Sequence, residues 1–532
     1  MQRRALALLG LFGAFVLHAQ SLTLSEISSK PPSHARDFLI WEFLRQEGVN
    51  EKAAQSAYAL VKNKNNYKIK KAYAKIVDDK IRKEFECKKK KDLLSITDDE
   101  CLRAAFSLRK SLNYNRFERD QLSLRGLSSR QKELLALQNE PYSFKYYKSH
   151  SPKSVISYIT SLPKKVLHSK LNTRLESDSL KFLQKASNFD SFVSLVTMDY
   201  KMDKLQKSLL DADGKKMNAY TNFLLGLNAL RHNDKTKAID FLKLSREKSK
   251  YPMQRDKIDF WLYLITKDKS YMQTLLLSMS INIYTLYAHE KMNVGLENYF
   301  VQLNTTRTPS TYNLQDPFDW LAILKEIENV KGANLFTLVK RYKSEKLLPV
   351  QRYLIERAYN FKMHGYIMPY DDYIGKLPKQ DKALIYAIMR QESNYIPAAL
   401  SRSFALGLMQ LMPFLVDHIA KKKGDKIKSY SELFQPSKNL EYAQIHLKWL
   451  KKVLHDNPLF IAYAYNGGYG FFRNYRKSGR FGKGEYEPFL SMELMRNSES
   501  REYGKRVLAN YVMYKKIYKE PFSLISFFET LK

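Results

Sequence analysis

The segment KALIYAIMRQES, residues 382–393, is the most informative stretch for predicting the structure of the C-terminal part of this chain. Glu392 falls on the same helix face as the apolar residues three, four and seven positions before it, which are Met389, Ile388 and Ile385. A carboxylate that ends an apolar stripe either pairs with a cation or is desolvated. Desolvation raises its pKa and keeps it protonated near neutral pH, as a general acid requires. An isolated glutamate at a helix end is more often structural, so the neighbouring sequence decides between the two interpretations.

Four short segments at and after the end of this helix carry further motifs. Residues 391–395 read QESNY, residues 407–413 read GLMQLMP, Asn439-Leu440 comes next, and residues 464–470 read AYNGGYG. Together these segments resemble the soluble lytic transglycosylase family, whose catalytic domain is similar to goose-type lysozyme. The hallmarks of that family are an ES pair, a GLMQ-x-MP box and an AYN-x-G segment. All three occur here in the family order, and the resemblance covers about residues 368–514.

The resemblance implies a role for each matching residue. Glu392 would be the catalytic acid and then the base. The residues expected to bind substrate or line the cleft are Ser401, Gly407, Gln410, Met412, Tyr465, Asn466 and Glu499. The chain departs from the family pattern at Phe404, where Gly is usual, and at Gly504, where Val is usual. The catalytic Glu and the Tyr465-Asn466 pair are intact, so the departures concern substrate detail more than chemistry.

The resemblance also implies a reaction. A periplasmic lytic transglycosylase would cleave the β-1,4 bond between N-acetylmuramic acid and N-acetylglucosamine in peptidoglycan and leave 1,6-anhydro-muramoyl ends. One carboxylate is enough for this reaction, whereas ordinary glycosidases use two. No cofactor is implied. No metal is implied either, because the ten His show no paired ligand spacing.

Two alternatives stay open at this point. A goose-type lysozyme-like hydrolase of the same bond would need a second carboxylate to hold water. The candidates by residue type are Asp371, Asp372, Glu441 and Glu499. The second alternative is a non-catalytic envelope scaffold with a decayed lysozyme-like domain, against which the intact Glu392 argues.

Before the motifs, the sequence predicts many short amphipathic helices. Apolar residues recur at three- and four-residue steps, and clusters of Asn, Asp, Ser and Lys separate them. Leu225-Gly226 and Ala238, on either side of the turn at 231–234, are spaced as in a tetratricopeptide repeat. No clean period recurs elsewhere. We therefore predict an irregular α-superhelical region over residues 20–303.

Two breaks divide the rest of the chain. Residues 304–317 are polar and contain Pro, and residues 365–370 read GYIMPY. We predict a helical linker domain at 304–370 and a lysozyme-like transglycosylase catalytic domain at 371–532. The expected fold is all-α, with an irregular α-superhelical (solenoid-like) N-terminal region followed by a lysozyme-like α-helical catalytic domain.

The first residues have the layout of an export signal. Arg3 and Arg4 precede the apolar run 5–17, and a polar chain follows. We predict a signal peptide at 1–19, cleaved near Ala19, and a periplasmic location. The apolar run is short for a membrane span, which needs about 20 apolar residues. No stable membrane insertion is therefore expected.

The formal net charge is +36, which in a cytosolic protein would indicate nucleic acid. Export changes the expected partner, because envelope polymers carry carboxylates and phosphates that attract a basic protein. A generally Lys-rich composition explains the charge equally well. We expect peptidoglycan glycan strands as the partner, with other cell-wall proteins meeting the helical domain as a further hypothesis, and no nucleic acid.

The chain has two cysteines, Cys87 and Cys101. Export makes a disulfide between them plausible. It would close a short loop and add about 3 kcal/mol of stability on the chain-entropy model. Two buried free thiols are the alternative, and neither cysteine has an expected catalytic role.

Overall fold

The computed structural model describes residues 22–307 and 310–531, so the predicted signal peptide at 1–19 lies outside the described residues. Apart from two short strands, the regular secondary structure of the described chain is helical, which confirms the predicted all-α class. Helices of the superhelical region are α1 (Leu24–Ser28), α2 (His34–Phe43), α3 (Glu51–Ala59), α4 (Tyr67–Tyr73), α5 (Lys80–Lys89), α6 (Asp99–Ala105), α7 (Leu108–Ser111), α8 (Arg116–Ser123), α9 (Ser129–Asn139), α10 (Pro152–Ser161), α11 (Lys164–Val166), α12 (Ser177–Gln184), α13 (Phe189–Thr197), α14 (Asp203–Ser208), α15 (Ala219–Arg231), α16 (Lys235–Lys248), α17 (Pro252–Thr266), α18 (Lys269–Leu276) and α19 (Ile283–Met292). The remaining helices are α20 (Pro317–Glu328), α21 (Asn334–Arg341), α22 (Leu348–Ala358), α23 (Lys379–Ser393), α24 (Pro413–Lys423), α25 (Pro436–Val453), α26 (Pro458–Gly467), α27 (Tyr469–Lys477), α28 (Phe489–Glu493), α29 (Ser498–Ile517) and α30 (Leu524–Glu529).

The polar clusters between the apolar stretches begin these helices. The Asn50 side chain accepts a hydrogen bond from the Ala53 amide at 2.9 Å and caps α3. The Asp234 side chain accepts from the Lys237 amide at 2.9 Å and caps α16. A side-chain oxygen at this position satisfies an amide that the helix itself leaves unpaired. The Asn, Asp and Ser clusters of the sequence are therefore helix starts.

Helices α15 and α16 form the helix pair that the repeat-like spacing predicts. Their close approach depends on Gly226, because a Cβ there would lie 2.9 Å from Leu242 Cγ. Leu225 and Ala238 are fully buried between the helices of this region. Helices α15 to α19 each pack against the next helix along the chain, as in other α-solenoids.

Helices α20 to α22 gather around a hydrophobic cluster of their own, which includes Ile323, Tyr342 and Leu354. Two short strands tie this segment to the superhelical region: β1 (Tyr299–Phe300) pairs in parallel with β2 (His364–Gly365). The all-α expectation did not include this pair. Gly365 permits it, because a Cβ there would lie 2.5 Å from Arg352 Cγ and 2.7 Å from the Phe300 ring. The boundaries near residues 303 and 370 remain our proposal for how the chain divides.

Helix α29 runs through the middle of the C-terminal part. Val507, Leu508 and Met513 on this helix are fully buried. Helices α23 and α26 both pack along it. The helix that carries Glu392 and the helix that carries Tyr465 are thus fixed against one buried support.

The superhelical region contacts the C-terminal part near its own beginning. Phe404 packs against Phe38 and Trp41 of α2, with ring centroids 5.6 and 5.3 Å apart. A Glu42 carboxylate oxygen accepts a hydrogen bond from the Tyr430 amide at 2.7 Å. An aromatic side chain at 404, where the resembling family has Gly, is explained by this packing.

A second contact forms near the end of the superhelical region. Lys505 donates to both carboxylate oxygens of Glu493 at 2.9 Å, and Tyr284 of α19 donates to the same carboxylate. Lys257 of α17 lies 3.8 Å from Glu493. Because the superhelical region meets the C-terminal part near both of its ends, the chain closes on itself.

Cys87 and Cys101 are joined by a disulfide that links α5 to α6. Both cysteines belong to a small hydrophobic cluster, separate from the main core, that also contains Leu102 and Leu135. Because this cluster is small, the disulfide stabilises a part of the chain that has few buried apolar side chains, by restricting its unfolded conformations.

None of the described helices combines the length and the apolarity that crossing a bilayer would require. Within residues 22–307 and 310–531, no group of three or more His, Cys, Asp or Glu side chains is arranged to hold a metal ion.

Candidate active site

Glu392 stands in the last turn of α23, where the apolar stripe ends. Ile388 and Met389 before it are fully buried, and Glu392 itself is half-buried. Asn394 and Tyr395, which follow, adopt positive φ angles of 51° and 67°, and this turns the chain away from the helix axis. The carboxylate is therefore held at the edge of the core, facing the segments that carry the other motifs.

Two groups act on the Glu392 carboxyl besides its burial. Tyr503 of α29 donates its hydroxyl to Glu392 Oε1 at 2.7 Å. Burial raises the pKa of Glu392 to about 7, the nearby charge of Glu499 adds to this rise, and the Tyr503 hydrogen bond opposes it. A carboxyl with a pKa near neutrality is protonated often enough to donate a proton and ionised often enough to take one back.

A buried ion network fixes the helix end beneath Glu392. Arg352 of α22 pairs with Glu356 and donates to Asn394 Oδ1 at 2.9 Å. Glu356 also accepts from Arg390 at 2.9 Å and from the Gly365 amide at 2.7 Å. The ion pairs hold Arg390, two residues before Glu392, while Arg352 holds Asn394, two residues after it.

Gly407 begins the tight turn of the GLMQ segment. Its φ is +74°, and a Cβ would overlap Asn439 Nδ2 and the Leu433 carbonyl oxygen. The buried Asn439 side chain accepts from the Met409 amide at 2.9 Å and donates to the carbonyls of Leu406 and Leu433 at 2.9 and 2.8 Å. Asn439, which lies on α25, thus fixes the backbone of this turn through hydrogen bonds. The sequence motif alone did not reveal this role.

Gln410 and Met412 lie at the surface of the same turn, each half-buried. Gln410 Nε2 donates to the carbonyls of Ala399 and Gly407, both at 2.9 Å. The side-chain nitrogen of Gln410 therefore stabilises the loop, and its side-chain oxygen is left to accept a hydrogen bond from a ligand.

Ser401 lies in the loop that precedes this turn. Its Oγ accepts hydrogen bonds from the amides of Ser403 at 3.2 Å and Ala405 at 2.9 Å. Within the described chain its hydroxyl hydrogen has no acceptor. A hydroxyl held in this way is oriented to donate to a carbonyl oxygen of a ligand, such as that of an acetamido group.

Tyr465, Asn466 and Glu499 complete the group. Tyr465 donates its hydroxyl to the Met409 carbonyl at 2.7 Å, which joins α26 to the GLMQ turn. Asn466 Nδ2 donates to Glu499 Oε1 at 3.2 Å, and Asn466 Oδ1 accepts from Ser500 Oγ at 2.7 Å. Glu499 is exposed, and Asn466 orients it toward the side of the site where its charge affects Glu392.

Sequence spacing gives no indication of the contact made by Tyr503, because this residue stands 111 positions from Glu392 and no spacing rule connects the two. Its neighbour Gly504 explains a second departure from the family pattern. A Cβ at 504 would overlap the ring of the buried Tyr463. A larger aromatic side chain on α26 thus occupies the space that a side chain at 504 would need.

The superhelical region also contacts the loop that contains Ser401, called the Ser401 loop below. Asn66 Nδ2 donates to the Arg402 carbonyl at 3.2 Å, and Lys68 Nζ donates to the Ser403 carbonyl at 2.7 Å. Lys68 also lies over the rings of Trp41 and Phe404, at 5.5 and 5.8 Å. The conformation of the Ser401 loop therefore depends on two donors from the start of α4.

Combining Asn66→Asp with Lys68→Met should raise KM for short glycan substrates about two- to tenfold, the effect of losing hydrogen bonds of about 0.5–1.5 kcal/mol. The introduced aspartate would still cap α4, and the introduced methionine would still cover the rings, so the melting temperature should change little. Lys71→Met, on the same helix and exposed, is the matched control. An unchanged KM in the double variant would show that these donors do not position the loop.

Comparisons with known proteins show which sequences and folds this chain is similar to. Residues 372–487 match the family model described as the transglycosylase SLT domain. The chain is 30% identical over 141 residues to a soluble lytic murein transglycosylase of Salmonella typhimurium, a match that covers 26% of this chain and 21% of the relative. It is 33% identical over 132 residues to that of Escherichia coli K12, covering 24% of this chain and 20% of the relative. The chain thus matches only about a fifth of the length of these curated relatives.

Among solved structures, the 70 kDa soluble lytic transglycosylase of Escherichia coli aligns with 93% of this chain and 83% of its own, with a TM-score of 0.51 and 16% identity. At this identity the likeness establishes the fold: a superhelical all-α chain with a lysozyme-like domain. Together with the SLT match, it confirms the resemblance that the motifs indicate.

Proposed function

We propose that this chain, whose residues 372–487 carry the transglycosylase SLT domain of the soluble lytic transglycosylase family, is a periplasmic lytic transglycosylase that cleaves peptidoglycan strands. The observation that carries the proposal is the state of Glu392: a desolvated carboxyl with a pKa of about 7 that accepts a hydrogen bond from Tyr503. Export by the segment 1–19, cleaved near Ala19, would bring the enzyme to its polymer. Its expected partners are glycan strands and other cell-wall proteins at the helical region, and no nucleic acid.

The proposed reaction uses one carboxyl twice. Protonated Glu392 gives its proton to the oxygen that links N-acetylmuramic acid to N-acetylglucosamine, and the bond from the muramoyl C1 to that oxygen breaks. Positive charge then develops at C1, next to the acetamido group of the same sugar. Ionised Glu392 takes the proton from the muramoyl C6 hydroxyl, whose oxygen forms a new bond to C1. The products are a free hydroxyl on N-acetylglucosamine and a 1,6-anhydro ring, with no water consumed.

The residues around Glu392 are suited to these reaction steps. Tyr503 stabilises the carboxylate between its two proton transfers, since its hydroxyl donates to Oε1. Ser401, with its hydroxyl hydrogen available, would hold the acetamido group of the substrate. Gly407, Gln410 and Met412 would form one wall of the cleft. Tyr465, Asn466 and Glu499 would form the opposite wall.

Mass analysis of the products from purified sacculi tests the proposal. Released muropeptides should carry 1,6-anhydro-muramic acid at their ends. Mainly reducing ends would establish the hydrolase alternative instead. For that reaction Glu499 is the one candidate among the described carboxylates whose charge reaches Glu392.

The pH dependence of kcat/KM tests the assignment of the acid. Only protonated Glu392 can donate, so kcat/KM should fall as the pH rises through about 7, the pKa of this group. Tyr503→Phe removes a hydrogen bond that favours the ionised form, so the pKa should rise and the fall in kcat/KM should move to higher pH. Glu499→Gln removes a like charge, so the fall should move to lower pH.

The two variants serve as controls for each other, because both change a residue beside Glu392 and their shifts have opposite signs. The measurement is the full pH profile of kcat/KM for each protein on one soluble glycan substrate. Shifts in the same direction, or none, would mean that another group controls the profile.

A further inference from the structure

Helix α29 presents two opposite faces to two different parts of the molecule. Tyr503 faces α23, where its hydroxyl donates to Glu392 at 2.7 Å. Asn510, seven residues later, faces the same helix and donates to the Ala387 carbonyl at 3.2 Å. Lys505 stands two residues from Tyr503, which is about 200° around a helix of 3.6 residues per turn. The side of α29 that carries Lys505 is therefore turned away from Glu392 and toward the superhelical region.

This opposite face of α29 belongs to a buried cluster of charges. Lys505, with 5% of the residue exposed, lies 2.9 Å from both carboxylate oxygens of Glu493 and 3.1 Å from Glu502. The superhelical region supplies two more members. Lys257 lies 3.8 Å from Glu493, and the Tyr284 hydroxyl donates to Glu493 and lies 3.3 Å from Lys505 Nζ. Glu493 thus has its full set of partners only when the two parts of the chain are in contact.

Arg501 extends the cluster by one turn toward the start of α29. Its Nε lies 3.2 Å from Glu502, and its Nη1 donates to the Met495 carbonyl at 2.9 Å. The Arg501 guanidinium also lies 5.5 Å from the centroid of the Tyr220 ring on α15. Positions 501 and 505 lie on either side of Tyr503 in the sequence. The segment that carries Tyr503 is therefore held from the superhelical side both before and after this residue.

Apolar contacts join the same two parts of the chain, but at other helices. Phe260 of α17 packs against Phe489 of α28, with ring centroids 4.8 Å apart. Tyr287 of α19 packs against Phe528 of α30, at 6.5 Å. These contacts keep the superhelical region joined to the C-terminal part when a charge is removed. They do not act on the first turns of α29, where the charged cluster lies.

Three titratable groups of the described chain face the Glu392 carboxyl. Tyr503 and Glu499 belong to α29, and Tyr465 belongs to α26. Tyr503 donates a hydrogen bond to the carboxyl, which lowers the pKa of Glu392 against the effect of burial. A hydrogen bond weakens steeply with distance and tilt. If the first turns of α29 moved away from α23, this bond would weaken and Glu392 would hold its proton more strongly.

We propose that Lys505 and Tyr284 are positioning residues, which hold the first turns of α29 so that Tyr503 keeps its hydrogen bond to Glu392. Within the described chain neither residue contacts Glu392, so both act through Tyr503. The inference rests on the proposed function, because it concerns the proton donor of that reaction. The superhelical region thereby affects proton donation through Tyr284, which lies behind α29.

The test compares two variants of the full-length protein with two matched controls. Tyr284→Phe removes one hydroxyl from the cluster and changes no charge. Lys505→Met removes the cation between the two carboxylates. The control for the first variant is Tyr287→Phe, on the same helix and outside the cluster. The control for the second is Lys515→Met, which removes a buried lysine of α29 that pairs with Glu520.

The measured quantity is the titration of the Glu392 carboxyl, followed by NMR in protein with 13C-labelled glutamate. The signal of Glu392 is identified by its loss in the Glu392→Gln protein. Tyr284→Phe and Lys505→Met should each raise the midpoint by about 0.5 to 1 pH unit, which corresponds to the loss of one hydrogen bond. The fall in kcat/KM should move to higher pH by the same amount. Both controls should leave the midpoint unchanged.

The same two changes are then made in the Tyr503→Phe protein. Neither should move the midpoint further, because the hydroxyl that they position is absent. A shift by Lys505→Met that persists in this background would mean that the lysine charge acts on Glu392 through space, which refutes positioning. Unchanged midpoints in the original background, or equal shifts in the controls, also refute it.

Tyr284→Phe alone decides the question if the loss of the buried Lys505 cation prevents folding. The titration is recorded without substrate, so it tests the positioning even if the reaction products contradict the proposed function. Conversely, a pH profile of kcat/KM that does not follow the Glu392 midpoint would contradict the proposed role of Glu392 and leave the positioning result valid.

Discussion

Replacing Glu392 with Gln should lower kcat on glycan strands by about a hundredfold or more, the usual contribution of a positioned acid–base group. The amide keeps the shape of the side chain and can still accept the hydrogen bond from Tyr503, but it has no proton to transfer. Strand binding and thermal stability should remain close to those of the wild type. The measurement is the steady-state rate on a soluble glycan together with equilibrium binding of the same strand.

Glu441→Gln is the matched control for this variant. Glu441 is exposed and pairs with Lys423 on the surface of the same domain, so its loss should leave the rate within about twofold, as for most surface changes. A Glu392→Gln protein that keeps more than a few per cent of activity would remove Glu392 from the mechanism.

Replacing Gly407 with Ala should destabilise the protein by about 3 kcal/mol or more and abolish most activity. A left-handed residue with a side chain costs about 1–2 kcal/mol. Here the added Cβ would also overlap Asn439 Nδ2 and a backbone carbonyl, and such overpacking costs about 1–3 kcal/mol. Relief of the overlap requires the Asn439 side chain to move, and with it the turn that carries Gln410 and Met412.

Gly424→Ala separates the two contributions. Gly424 has nearly the same φ, +75°, but no atom lies within 4 Å of the place of its Cβ. This variant should lose only the conformational part, about 1–2 kcal/mol, and keep its activity. Both losses are measured by urea unfolding. Equal losses in the two variants would show that the overlap at 407 is relieved without consequence.

The sequence was sufficient to locate those residues of the candidate site whose geometry is local. The helical period placed Glu392 at the end of an apolar stripe, and burial of Ile388 and Met389 is what the period predicts. The ordered motifs likewise located the turn at Gly407 and the Tyr465-Asn466 pair. Each of these depends on residues close together in the chain, where spacing reports geometry directly.

What the sequence could not provide depends on contacts between distant segments. Tyr503 meets Glu392 only because α29 and α23 pack side by side. Phe404 is unexplained as a departure from the family until Trp41 is seen against it. The role of Gln410 in the loop likewise depends on which carbonyls lie near its amide. No period or composition carries this information, since it arises from tertiary packing.

The hydrogen bonds from Asn66 and Lys68 to the Ser401 loop also determine at which stage of folding the candidate site is complete. The paired residues are 336 and 335 positions apart. Contacts across so much chain carry a large loop-closure entropy and form late in folding, after the local helices. The helices can therefore be fully formed before the Ser401 loop reaches its final conformation. An intermediate that has not joined its two distant segments would hold Glu392 in its helix and yet lack a positioned Ser401 loop. If the chain has the proposed function, cleavage of glycan strands would then begin only when folding is finished.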